Sequence, residues 1–217
     1  MKLSEILFSR AERLWDISVK KPFVTEMAKG TLADEKFRRY TIQDYLYLLE
    51  YIEILKEIRE LSVNDDATAS LSAIIEGTLE EAERVHLPNI RKAGIADDEI
   101  TKDKELNAVS DYIGFMRECL EKHGFLGGIT ALLQCSWGYA YICGKIKEIY
   151  AEEIPESKYS SWFEAYSCQS YLDSNRIWID MVDRESEGID DAVEEIMCQI
   201  FEKCAEYENG LWDALYE

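Results

Sequence analysis

The sequence predicts an all-α protein, and three observations carry that reading. Only three prolines, Pro22, Pro88 and Pro155, interrupt 217 residues, and proline is the residue that most disrupts a helix interior. The long stretches between them are dominated by Glu, Lys, Leu, Ala and Ile, while glycine is sparse at 11. No segment alternates apolar and polar residues between Asn-Gly or Asp-Gly turns, as a hairpin would.

The elements follow in order. Leu3 to about Ser18 is a first helix, with Ile6, Leu7, Ala11, Leu14 and Trp15 on its apolar stripe. Lys21-Pro22-Phe23 opens a short second helix, because proline at an early position gives up an N–H that has no helical partner anyway. Gly30 ends it. Thr31 to Asp34 leads into a long third helix, from about Asp34 to Leu61. Asp65-Asp66 precedes a fourth, running toward Lys92 with Gly94 as its stop and a break or kink expected near Pro88. Asp97-Asp98-Glu99 reads as a solvated acidic turn. A fifth helix spans about Lys104 to Lys122, Gly124, Gly127 and Gly128 mark a connection, and a sixth runs from about Phe125 to Tyr150. After Pro155 and Ser157, a segment from about Tyr159 to Glu185 bends near Ser170. Glu187 to Asp190 is a turn, and a last helix covers about Asp190 to Leu215. Seven or eight helices in a single domain over residues 1–217 are expected.

Composition narrows the function. With 24 Lys and Arg against 44 Asp and Glu, the net charge is −20. A protein that grips nucleic-acid phosphate needs a basic footprint, and docking on anionic lipid needs one too, so neither partner is expected. No run approaches the 18 apolar residues of a membrane span. Met1-Lys2-Leu3-Ser4-Glu5 turns charged too soon for a signal peptide, so a cytoplasmic location is expected. The charge runs read as solvated helix faces. Six cysteines, at 119, 135, 143, 168, 198 and 204, include no CxxC pair. In a reducing compartment they are expected as thiols, most of them acting as small buried hydrophobes.

Three helices hold residues that could do chemistry. In the third, Tyr40, Asp44, Tyr47 and Tyr51 lie at i, i+4, i+7 and i+11 and so share a face. That face is either half-exposed or a polar wall inside a pocket, where the carboxylate needs partners or a shifted pKa. In the sixth, Cys135 and Tyr139 stand one turn apart on a nearly apolar, central helix. Cys135 is either packing or a nucleophile, and the second role needs a thiolate or a nearby proton acceptor. In the last, Glu208 lies one turn before Trp212. Gly210 between them costs about 1 kcal/mol relative to Ala inside a helix, which suggests a close approach of another element or an early fray.

Glu83-Arg84-Val85-His86 has the Glu-x-x-His spacing of half a di-iron site. The second histidine, His123, is preceded at that spacing by Leu120, so the pattern fails and no metal site is expected. His86 reads instead as a structural hydrogen-bonder between helices. No Gly-rich phosphate loop, G-x-S-x-G or H-E-x-x-H occurs.

Taken in order, several segments resemble the TenA / thiaminase II family, which has the haem-oxygenase-like helical fold. Pro22-Phe23 through Gly30-Thr31-Leu32 and Lys36-Phe37 resemble its entry segment. Tyr40-Thr41-Ile42-Gln43-Asp44-Tyr45-Leu46-Tyr47-Leu48 resembles its Tyr/Gln-Asp/Tyr-Leu signature. Ala131 to Trp137, Trp162 to Tyr166 and Glu208 to Tyr216 resemble three more of its segments, and Glu83 to His86 fits a fourth loosely. The resemblance implies the cysteine-containing type, an aminopyrimidine aminohydrolase or thiaminase II of thiamin salvage. Cys135 would be the nucleophile and Glu208 the proton donor and acceptor at a ring nitrogen, helped by Tyr166. Asp44 would bind the 4-amino group of a small pyrimidine, and Tyr47, Tyr112 and Tyr139 would line or stack on the ring. It implies no metal or organic cofactor, and a homo-oligomer, usually a tetramer. The sequence departs from the family at Lys21 and Leu211, at Gly210, and at Ser167-Cys168. A binding or regulatory protein that keeps the pocket without catalysis is the alternative, and a helical oxidase or metal enzyme on the same fold is a third.

Overall fold

The computed structural model describes residues 1–62 and 64–217, with the side chains of all of these but Arg84, Val85, Asn89 and Lys92. Its α-helices are α1 (Leu3–Val19), α2 (Pro22–Ala28), α3 (Asp34–Glu60), α4 (Asp65–Glu81), α5 (Leu87–Lys92), α6 (Asn107–Ile149), α7 (Ser160–Ser167), α8 (Gln169–Glu185) and α9 (Asp191–Tyr216). A π-helical turn (Ala82–His86) joins α4 to α5, and short 3₁₀ turns cover Asp97–Glu99, Lys102–Lys104 and Ile154–Glu156. Among the described residues there is no strand, so the all-α class holds. Two starts are capped as their sequences suggest. The Asn64 side chain accepts from the Ala67 N–H at 2.7 Å, and that of Asp190 from the Val193 N–H at 2.9 Å.

Local pattern located most boundaries, and the exceptions have physical causes. The fifth predicted helix begins at Asn107, not near Lys104. The side chain of Gln43 on α3 donates to Lys104 O at 2.9 Å and accepts from the Leu106 N–H at 2.8 Å. That pair of bonds holds the chain extended at Glu105. The segment from Tyr159 to Glu185 is two helices, because Cys168 is extended (φ −71°, ψ 158°) and starts α8 afresh. The long α6 breaks where glycine was expected to mark a connection. Gly124 has φ 61° and ψ −150°, a region essentially reserved for glycine. The chain folds back so tightly there that a Cβ on Gly127 would stand 2.7 Å from the Cys119 carbonyl oxygen.

The expectation for Gly210 is overturned. The residue is exposed, a Cβ there would meet nothing within 4 Å, and α9 continues unbroken to Tyr216. It neither admits a neighbour nor frays the helix.

The chain forms two compact units. One consists of Met1–Leu32 with Ile129–Glu217, the other of Ala33–Gly128. In the first, α9 packs along α1 and α2, and α8 packs against α1. Its core includes an aromatic cluster in which Trp15 meets Phe8, Trp137, Tyr141 and Phe201 at centroid distances of 5.2–5.8 Å. In the second unit, α3 packs against α4, the π turn and α5, with Ile42, Leu46, Ile90 and Ile95 forming a buried cluster. No helix among the described residues is long and apolar enough to cross a membrane.

Candidate active site

The expected site residues fall into two sets, one in each unit. Cys135, Tyr139, Tyr166 and Glu208 belong to the first; Asp44, Tyr47 and Tyr112 belong to the second.

In the first unit the residues gather through their neighbours on α6, α7 and α9. Tyr139 of α6 lies 4.9 Å, centroid to centroid, from Tyr166 and 5.9 Å from Trp162, both of α7. It lies 5.7 Å from Trp212 of α9. Cys135 precedes Tyr139 by one turn on α6 and Glu208 precedes Trp212 by one turn on α9, so each lies one helical turn from this contact. Trp162 packs edge-on to Tyr166 at 4.9 Å and closes this aromatic wall. Tyr171 of α8 fixes the neighbouring backbone, its hydroxyl donating to Ser136 O at 3.1 Å.

Glu208 is 1% exposed. A carboxyl group so placed, away from bulk water, is a candidate for proton transfer to a bound ligand. The helix that carries it is fixed in register by the next residue. Asn209 accepts from the Ser18 hydroxyl at 3.1 Å and donates to Leu14 O and Ala205 O, each at 3.0 Å. Further along, Lys21 reaches Asp213 at 2.6–2.7 Å and the Tyr216 hydroxyl donates to Glu26 at 2.6 Å, both tying the end of α9 to α2. Lys21, a departure from the family pattern, thus has a place of its own. Asn209 was missed by sequence reasoning, because nothing local distinguishes a buried amide from an exposed one.

The cysteines separate by environment. Among the described residues all six stand as thiols rather than disulfides. Cys119, Cys143, Cys198 and Cys204 are buried. Burial pushes the Cys119 thiol up to about 12 and raises those of Cys143 and Cys198 as well, which leaves them inert. Cys135 and Cys168 are partly accessible. Of these two, Cys135 lies on the aromatic-walled face.

In the second unit the tyrosine stripe of α3 is an inward face. Tyr40, Tyr47 and Tyr51 are 3–7% exposed. Tyr47 lies 5.8 Å from Tyr51 and 5.6 Å from Tyr112 of α6, and its hydroxyl faces Met116 Sδ at 3.8 Å. The Asp44 side chain, 14% exposed, stands 3.5 Å from His86 Nδ1. Burial lifts its carboxyl to about 6. The His86 charge and a Tyr40 hydrogen bond oppose that rise, and Glu81 adds to it. His86 does link helices, as expected, and the partners are now specific. Glu81, the third member, carried no signal in the sequence. Glu83, the other acid of the rejected Glu-x-x-His spacing, is exposed, and the side chains of Arg84 and Val85 lie outside the described residues. Among the described residues no group of three His, Cys, Asp or Glu gathers to hold a metal ion.

The chain belongs to the TENA/THI-4/PQQC family, whose model matches residues 8–217. It is 28% identical to an aminopyrimidine aminohydrolase from Halalkalibacterium halodurans, covering 100% of this chain and 96% of the relative. It is also 28% identical to one from Helicobacter pylori, covering 100% of both. Among solved structures it is similar to a TenA homologue from P. horikoshii OT3, with a TM-score of 0.87 at 22% identity, over 100% of this chain and 99% of that one. That likeness bears on the fold, which is the TenA one.

Proposed function

We propose that this protein is an aminopyrimidine aminohydrolase of the thiaminase II type, a hydrolase acting on C–N bonds in thiamin salvage. Relatives over the full chain length carry that name. The observation that supports the mechanism is the Tyr139–Trp212 contact, which lies one turn from Cys135 on α6 and one turn from Glu208 on α9.

The substrate of this reading is 4-amino-5-aminomethyl-2-methylpyrimidine, with thiamin as a further one. Asp44 accepts from the 4-amino group, and Tyr47, Tyr112 and Tyr139 line or stack on the ring. Cys135 adds through sulfur to a ring carbon while Glu208 gives its proton to a ring nitrogen, assisted by Tyr166. Protonation makes the ring a better electron acceptor, and the dearomatised adduct then expels the aminomethyl nitrogen, protonated at neutral pH, from the neighbouring methylene as ammonia. Water adds at that methylene. Return of the nitrogen's proton to Glu208 and loss of the thiol restore the aromatic ring, leaving 4-amino-5-hydroxymethyl-2-methylpyrimidine. The reading includes a homotetramer in the cytoplasm.

The test is incubation with each substrate and mass detection of the hydroxymethyl product. Wild type forms product. Cys135→Ser loses at least about 10³-fold in kcat, yet remains folded and thermally stabilised by the product. Cys168→Ser, which alters the other accessible thiol, retains full turnover. Ligand stabilisation of the wild type without any product would make this a binding protein instead, and full turnover by Cys135→Ser would remove the thiol from the mechanism.

A further inference from the structure

Between α4 and α5 the helical ladder widens for one turn. Pro88 has no N–H to give to the carbonyl of residue 84, and its ring crowds that carbonyl. The Leu87 N–H reaches Ala82 O, five residues back. Such π turns are rare and occur frequently at functional sites. This one has a geometric consequence. On a regular α-helix residues 81 and 86 point about 140° apart. The wider turn brings the His86 ring round toward Glu81, whose Oε1 lies 3.4 Å from Nε2. The other ring nitrogen, Nδ1, faces Asp44 Oδ2 at 3.5 Å. An imidazole 13% exposed is thereby held between two carboxylates on two helices.

We propose that His86 is a positioning residue for the aminopyrimidine: seated between Asp44 and Glu81, its imidazolium keeps the Asp44 carboxylate ionised and fixed, ready to accept from the substrate's exocyclic amino group. The inference rests on the function proposed above, since it is the aminopyrimidine that gives Asp44 a donor to meet. It explains why an acid is tolerated in a stripe of buried tyrosines. A carboxylate there without a cation takes up a proton, and the carboxyl group then loses the charge that makes its bond from an amino group strong and adds a donor the amino group cannot use.

The groups that act on the pair are few. Asp44 and Tyr40 face it from α3, and Glu81 from α4. Glu83 of the π turn and Arg91 of α5 act on Tyr45. Burial pushes the His86 imidazole down, but the hydrogen bond to Glu81 and the charges of Asp44 and Glu81 outweigh it and raise the group above its ordinary value. The working form, Asp44 ionised and His86 protonated, therefore occupies a window from about 6 up to that raised value.

The chain has two histidines, so imidazole resonances of labelled protein separate His86 from the exposed His123, with His86→Asn for assignment. Wild-type turnover of the aminomethyl substrate is measured first; if there is none, the functional reading fails and takes this inference with it. Given turnover, His86→Asn raises KM about tenfold or more, as expected when a charged hydrogen-bonding partner is removed. In that variant kcat changes less than about threefold, and the acidic limb of kcat/KM moves to higher pH because the cation that opposed protonation of Asp44 is gone. Glu81→Gln, at a side chain 38% exposed, lowers the titration of His86 and raises KM in the same direction, without relying on the first variant's folding. Saturating hydroxymethyl product shifts the His86 resonances and leaves those of His123. The proposal is overturned if wild type turns over while both variants keep its KM and pH profile, or if product leaves the His86 resonances unmoved.

Discussion

The two sets of site residues are held in opposite ways. Next to Glu208 the helix is held by neutral groups, the Asn209 amide, the Ser18 hydroxyl and two backbone carbonyls, with the charged ties of Lys21 and Glu26 further along. Around Asp44 the frame is set by groups that titrate, His86 and Glu81. The first arrangement is indifferent to pH, which fits the proton-transfer role proposed for Glu208, since its frame stays still. The second changes with pH, which fits the role proposed for Asp44 of presenting one charge state to a ligand. Buried carboxyl groups thus differ in role according to the protons of their neighbours.

The comparison is broken or sharpened most strongly at Glu208. Glu208→Gln keeps the shape and removes the acid; kcat falls by about 10²–10⁴-fold with KM changed far less. A variant with unaltered kcat would place the proton transfer elsewhere. Next comes the neutral frame. Asn209→Ala strands the Ser18 hydroxyl and Leu14 O, at a cost of about 2–3 kcal/mol and a fall in Tm of about 4–12 °C. Thermal denaturation at pH 5 and pH 8 checks it, and the loss is the same at both.

The titrating frame gives the smallest and opposite effect. The Asp44 carboxyl lies at about 6, against an ordinary 3.8. A carboxyl raised on folding binds its proton more tightly when folded, so stability falls as pH rises from about 4 to about 6, and the full penalty applies above. Asp44→Asn removes that penalty. The variant is more stable than wild type by about 1–2 kcal/mol at pH 8, with no difference below pH 4, although its KM rises. A gain that persists at low pH would show that charge is not its cause.

Much of the candidate site's layout was legible in the sequence because it repeats along a helix. The i, i+4, i+7, i+11 spacing put Tyr40, Asp44, Tyr47 and Tyr51 on one face, and the structure buries that face. The same arithmetic paired Cys135 with Tyr139 and Glu208 with Trp212. Glu81 and Asn209 were not legible, since their partners lie on other elements or across a turn of irregular pitch. Gly210 was read as a sign of a close neighbour or a fray, and the helix carries it on an exposed face with neither.

By itself the sequence determined the helical class, most helix ends and the break at Gly124, all governed by interactions within a few residues: periodicity, capping and the conformational limits of proline and glycine. The tertiary structure decided what those helices do to each other. It broke the chain at Cys168, delayed α6 through Gln43, and turned His86 between two carboxylates. A hydrogen bond across helices depends on pitch, tilt and register together, and no single stretch of sequence holds all three.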